Sequence, residues 1–171
     1  ALEASAIGAN SYSELILALP GDSQEAHFTT IEKIVEADFN TICLYQLMLL
    51  PGTDLASAES IEKWQMETRY RVLPRSYGYF DCLGETINAA EIERICVANN
   101  SLTMADYIEC RRFHLIINVF YNDGVFKEVL RLLKTLGLSK YEWLKRIFDY
   151  RDDAEFESFT AGFLQETEDE L

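Results

Sequence analysis

Twenty-nine Asp and Glu residues against fifteen Lys and Arg give the chain a formal charge of −14. In such a background a cationic cluster stands out, and Arg111, Arg112 and His114 read as the one such cluster, on a predicted helix that also carries Glu109. Residues three or four apart meet on a helix, so Arg111 and His114 share a face while Arg112 looks elsewhere. Such a pair would hold a substrate carboxylate or phosphate; the competing use is pairing with the chain's own carboxylates. Glu14 heads the apolar run SELILAL, where an unpaired carboxylate would be costly to bury. It is therefore a substrate-side candidate with a partner in an interior, or a charge at an exposed strand end. Gln46 is the one strongly polar side chain in the middle of TICLYQLMLL, which suits either a ligand contact or a buried hydrogen bond. His27 falls in a predicted surface helix with no second ligand near it in sequence. Cys43, Cys82, Cys96 and Cys110 lack the close spacings with which a loop clamps zinc or an iron–sulfur cluster. No metal-binding residue is expected, and the cysteines read as structural thiols. No Ser or Cys nucleophile motif with a matching base stands out, which disfavours a hydrolase.

The elements that must position these residues are legible at the amino-terminal end. Ser13–Leu19 is a short apolar run stopped by Pro20-Gly21, as a buried parallel strand would be. Asp22 opens D-S-Q-E, a capping-box-like signal, and Phe28, Ile31, Ile34 and Val35 recur at helical spacing, so a helix follows to about Ala37. Thr41–Leu50 is again apolar and β-favouring, ends at Pro51-Gly52, and is followed by Thr53 or Asp54 as cap and a stripe of Leu55, Ala58, Ile61 and Trp64. The two units repeat one another: LPGD at Leu19–Asp22 returns as LPGT at Leu50–Thr53. A helical crossover implies parallel neighbours with both faces covered, and in a barrel of such units the loops after the strands line the functional face. Two units cannot close a barrel.

Beyond Trp64 short β-like pieces are expected at Tyr70–Leu73, Tyr77–Leu83 and Ile92–Ala98, with no readable pairing. Helices are predicted over Thr103–Tyr121, Val125–Leu136, Tyr141–Tyr150 and Ala154–Gln165, with breaks at Gly124 and Gly137. The tail Glu166–Leu171 reads as solvated and frayed. The fold class is α/β: two consecutive βα units of a partial TIM-type barrel over residues 1–66, then a mostly helical region with short β pieces over 67–171. The chain opens on Ala1 and runs almost at once into a strand pattern, which leads to the expectation of a piece cut from something longer.

The stretch SELILALPGDSQEAHFTTIEKI followed by NTICLYQLMLLPGTDLAS resembles the late barrel strands of radical S-adenosylmethionine enzymes. Many of those carry S/T-E/D-x-I-x-G-L/F-P-G-E/D and, one unit later, a strand ending in P-G-T. The segments RVLPRSYGYFDCLGE and MADYIECRRFHLIINVFYNDG are similar to the helical extension of the family's cobalamin-binding subgroup. Two departures stand out: Ala18 where the pattern favours Gly, and Asp22 where Glu is more usual. The resemblance implies a partial (β/α)-barrel whose iron–sulfur cluster, a 4Fe-4S centre held by a C-x3-C-x2-C loop after the first strand, cleaves S-adenosylmethionine to a 5′-deoxyadenosyl radical. This sequence has no such loop, because its strands would be late ones, about the fifth and sixth of the barrel. The resemblance further implies that the backbone of Leu19, Pro20 and Gly21, with Gln46 and Met48 from the next strand, packs against the adenine and ribose of S-adenosylmethionine. Cobalamin use would follow from the subgroup. The piece alone would hold no cofactor and be inactive.

The acidic balance disfavours nucleic acid and anionic membranes as partners. Free thiols, no signal-like start and no run of membrane-spanning length point to the cytoplasm. The expected partner is the rest of the parent chain, and open strand edges predict self-association of the isolated piece. The alternative is a non-catalytic protein-interaction domain, with a small sheet packed on helices that offer an apolar groove.

Overall fold

The computed structural model describes residues 9–171, apart from the side chains of Pro74 and Arg75. The architecture is mixed α/β. β1 (Tyr12–Leu17), α1 (Gln24–Glu36) and β2 (Thr41–Gln46) form a β-α-β crossover, and β1 and β2 pair in parallel from Tyr12↔Thr41 to Leu17↔Gln46. A 3-10 turn (Asp54–Ala56) and α2 (Ala58–Trp64) follow. β3 (Glu67–Cys82) and β4 (Glu85–Ala98) then make a long antiparallel ribbon, and α3 (Met104–Ile117) runs into a π-helical turn, Asn118–Asn122. α4 (Lys127–Thr135), α5 (Lys140–Asp149) and α6 (Ala154–Asp169) complete the chain.

The caps explain most helix starts. Ser23, not Asp22, caps α1 through Ala26 N–H. Thr103 and Asp106 form a reciprocal capping box on α3, and Ser139 and Asp153 cap α5 and α6.

The sheet has one covered and one bare face. Because side chains alternate along a strand, Leu15, Leu17, Ile42 and Leu44 share one face, and Leu15, Ile42 and Leu44 pack with Ile31 and Val35 of α1 and Phe113, Ile116 and Ile117 of α3 in one apolar core. The opposite face carries Tyr12, Glu14, Ile16 and Tyr45, all exposed. A second core joins Leu17, Ala18, Leu47 and Leu49 to Met66, Ile95, Cys96 and Val97 of the ribbon and to Tyr107 and Cys110 of α3, so the packing is continuous across position 66.

The two sheets are linked. Beyond Gln46 the chain pairs with β4: Cys96 N–H donates to Leu47 O (2.9 Å) and Leu49 N–H to Arg94 O (2.8 Å). At its other end, β2 is closed by Asn122, whose side chain accepts from Ile42 N–H and donates to Ile42 O, both at 2.9 Å. β1 differs. Ser11 O and Leu17 O face β2, so by period two Tyr12, Glu14 and Ile16 turn their backbone groups to an edge with no partner among the described residues.

Several sequence expectations are corrected. The three short β pieces are two long strands joined by a two-residue turn, Leu83-Gly84, with φ of 52° and 86°, the primed geometry of a tight hairpin. The ladder shifts register between Val72 and Tyr77, around Pro74, which has no N–H to give it. The outer half of the ribbon is solvent-facing, with Tyr77, Tyr79, Phe80 and Leu83 all exposed. The tail is not frayed: α6 continues to Asp169, Thr167 is buried, and Leu171 packs on the second core. His27 is not a surface residue; it is 2% exposed. No helix among the described residues is long and apolar enough to cross a membrane.

Candidate functional site

Both Pro-Gly corners lie at the carboxy-terminal end of the parallel strands, and the first is the more elaborately built. Ala18 is fully buried with φ of +70°, a left-handed conformation that costs an L-residue about 1–2 kcal/mol. A Gly at this position would carry no such strain. Asn99, nearly buried, holds the strained segment by donating its Nδ2 to Ala18 O (3.0 Å) and Leu19 O (3.4 Å). Its Oδ1 in turn accepts from Ser101 N–H, Ser101 Oγ–H and Leu102 N–H. Ser101 Oγ is also 2.8 Å from Asp22 O, so its single proton is shared between Asn99 Oδ1 and Asp22 O.

Asp22, released from capping, sits with Oδ2 3.4 Å from His27 Nδ1, and His27 Nε2 lies 2.8 Å from His114 Nε2. The carboxylate assigns the His27 proton to Nδ1. His27 Nε2 is then an acceptor, and His114 donates to it through Nε2–H, leaving His114 Nδ1 as a lone pair with no partner among the described residues. Burial pulls His27 below its ordinary pKa, with Asp22 opposing. Burial likewise holds His114 well below its ordinary value, and the charges of His27 and Arg111 add to this. At neutral pH both rings are uncharged, and the array ties the first corner to α3.

The other sequence candidates are dispersed. Leu19 is 39% exposed at the corner and Met48 43% exposed where the chain meets β4. Gly21 has φ of +83° and open space where a Cβ would stand. Gln46 turns to the covered side, where its Oε1 accepts from Arg71 Nη2 at 2.7 Å; Arg71 Nε also donates to Glu93 Oε1 at 2.5 Å. Glu14 lies on the bare face beside Ile16, its register partner being Cys43. Arg111 and His114 form no open anion site. His114 is 1% exposed, and Arg111 stacks over Phe163 at 5.4 Å, its Nε without a hydrogen-bond partner among the described residues. Arg112 donates to Glu157 Oε1 at 3.0 Å.

No family model matches this chain, and no curated protein does.

The cysteines do not fit an iron–sulfur cluster. Cys82 stands at the ribbon's exposed tip and Cys43 on β2, while Cys96 and Cys110 are buried, their thiols pushed by burial up to about 11 and about 12. Thiols so protonated are poor ligands at neutral pH. Among the described residues no three of His, Cys, Asp and Glu are grouped to hold a metal ion.

Sequence reasoning missed Asn99, Ser101, Asp22 and His27 as parts of the site. One signal was present for His27: it stands four residues before Ile31 and eight before Val35, on the stripe that α1 buries. The Asn-Asn-Ser run 99–101 reads only as a turn, and nothing local tells that it closes on a corner far back in the chain.

Proposed function

We propose that this chain supplies the last two strands and the helical cap of a radical S-adenosylmethionine enzyme whose cluster loop lies on residues outside it. The observation that carries this reading is the uneven finish of the β1–β2 pair. Parallel strands are ordinarily buried on both faces, yet one face of this pair is bare and largely apolar. The far edge of β2 is held at its start by Asn122, which bonds Ile42, and the chain just beyond Gln46 pairs with β4, whereas that of β1 has no partner among the described residues. A sheet flanked at both ends on the β2 side and open along the β1 side suits strands that come last in a barrel, with Glu14, Ile16 and Tyr45 lining its interior. In this reading Leu19, Pro20, Gly21 and Met48 stand at the mouth against S-adenosylmethionine, and Gln46 acts at one remove by holding Arg71. The parent's cluster would supply the reductive cleavage of S-adenosylmethionine. This chain's residues would shape the adenine and ribose side of the pocket and exclude water from it. The subgroup resemblance adds cobalamin as a second cofactor of the parent.

Anaerobic reconstitution with iron and sulfide tests the reading. The chain alone is expected to bind no stoichiometric cluster. The product of its gene read upstream in frame is expected to contain a C-x3-C-x2-C segment and to bind one. A cluster on the chain alone, or an upstream frame without that segment, overturns the proposal.

A second reading, a protein-interaction domain, is favoured by one observation. Phe120, Trp143, Ile147, Tyr150 and Phe156 line an apolar groove of about 380 Å³ between α5 and α6. Helix-binding grooves are built this way. A start codon immediately before Ala1, with a complete and monomeric product, would favour it over the first.

A further inference from the structure

We infer that the cleft at the amino-terminal ends of β1 and β2, opposite the Pro-Gly corners, binds a small extended polyanion of the linked-phosphate kind. The cleft encloses about 700 Å³, within the range of small-molecule sites. Its lining gathers Lys127, Arg131, Lys134 and Lys140, four of the chain's fifteen Lys and Arg, against Asp38 as its one carboxylate out of twenty-nine Asp and Glu. A solvated surface drawn from this composition would show the opposite balance.

The cations are arranged, not scattered. Lys127, Arg131 and Lys134 recur at i, i+4 and i+7, so α4 presents them along one side while Leu130 and Leu133 pack toward the core. Seven residues of helix span about 10 Å, which spreads the charge along a line instead of a point. Lys140, at the start of α5, is 8% exposed and bonded to Asp38, which Lys134 also pairs with. Burial pushes the Asp38 carboxyl up, but the two ammonium groups outweigh it and hold the carboxyl below its ordinary value. Two ammonium groups on one carboxylate leave a positive charge over. Lys127 has no carboxylate partner among the described residues, and Arg131 pairs with Glu128 on the solvent side, where both are more than half exposed. The opposite wall is neutral, with Ser11, Asn40 and Asn122 as polar groups beside the rings of Tyr12, Phe39 and Tyr121.

The chain's net charge does not cancel this local field. Charges beyond about 10 Å are largely screened at ordinary ionic strength, so the cleft's own surplus decides what enters it. An elongated anion with a charge on each unit would meet the α4 stripe along its length; a single compact anion would meet one or two of the cations.

Calorimetric titration of the chain at about 0.1 M ionic strength, with tripolyphosphate, orthophosphate and citrate as probes, tests the inference. The expected result is one saturable site for tripolyphosphate, tighter than either other probe by about tenfold or more, and weakening with added salt. The double variant Lys127→Ala, Arg131→Ala removes only exposed side chains, so its circular dichroism should be unchanged while binding falls about tenfold. Glu128→Gln, which frees Arg131, is expected to tighten binding. Absence of saturable binding, citrate binding as tightly as tripolyphosphate, or equal affinity in the double variant would each overturn it.

Discussion

The corners Leu19–Asp22 and Leu50–Thr53 share three of their four residues and one backbone. Gly21 has φ of 83° and Gly52 of 84°, and the fourth N–H returns to the first carbonyl at 3.0 Å and 3.2 Å. This is a type II turn with Pro and Gly in their favoured places. Outside the turn the two part company. The first is strapped by Asn99 and Ser101, led into by a left-handed Ala18, and tied through Asp22 to two buried histidines. The second keeps local bonds, Thr53 Oγ–H and N–H to Leu50 O, and Leu50 is 54% exposed. A repeated sequence therefore fixes a repeated turn, while the surroundings decide which copy is rigid.

The largest expected effect breaks the strap. Asn99→Ala would leave Ala18 O in the core without its partner and Leu102 N–H with only its longer bond, to the residue 99 carbonyl at 3.4 Å, which predicts a loss of about 2–4 kcal/mol in urea unfolding. At the second corner, Thr53→Ala removes one exposed bond and should cost less than about 1 kcal/mol. Equal losses would show that the two corners are alike after all.

Next comes pH, which should act on the first corner alone. His27 and His114 both have folded pKa values below the ordinary one. Above about pH 6.5 neither state binds these protons; below it the unfolded chain takes them up and the folded chain refuses them. Stability should therefore fall as pH drops from about 6.5, by up to about 1.4 kcal/mol per pH unit for each proton. Urea midpoints at neutral and mildly acid pH give the slope, and it should flatten in the double variant His27→Gln, His114→Gln. A slope that survives the replacement would trace the loss to carboxylates.

A smaller and equal effect is expected where the corners are locally identical. Gly21→Ala and Gly52→Ala meet no neighbouring atom, so each should cost only the left-handed strain, about 1–2 kcal/mol. The two should agree within about 0.5 kcal/mol.

What was readable in the sequence follows from the same division. The parallel β1–α1–β2 unit, the turns and the order of the helices rest on local signals: apolar runs, Pro-Gly stops and capping residues. The ribbon was hidden because Pro74 and Gly84 read as breaks between short pieces and Leu83-Gly84 lacks the Asn or Asp that marks a primed turn. Gln46 was open between ligand and structure because its partner, Arg71, lies on a ribbon whose register the sequence does not give. Arg111, Arg112 and His114 read as the one cationic cluster because they are near neighbours in sequence, while the i, i+4 and i+7 spacing of Lys127, Arg131 and Lys134 went unread. That they face Asp38 across a cleft depends on how α4 docks, which no local pattern encodes.

The smallest effect sharpens the comparison most. Ala18 and Leu49 hold matching places before the two corners, but Leu49 is not among the residues with positive φ, and its N–H is bonded to Arg94 O. Replacing a buried Ala of ordinary conformation by Gly costs about 1 kcal/mol through chain entropy and lost packing. At position 18 the release of left-handed strain works in the other direction with similar size. Ala18→Gly should consequently leave the unfolding free energy unchanged within about 0.5 kcal/mol. A loss beyond about 1 kcal/mol would mean that residue 18 is not strained, and the first corner would then lose the feature that most clearly sets its backbone apart from the second.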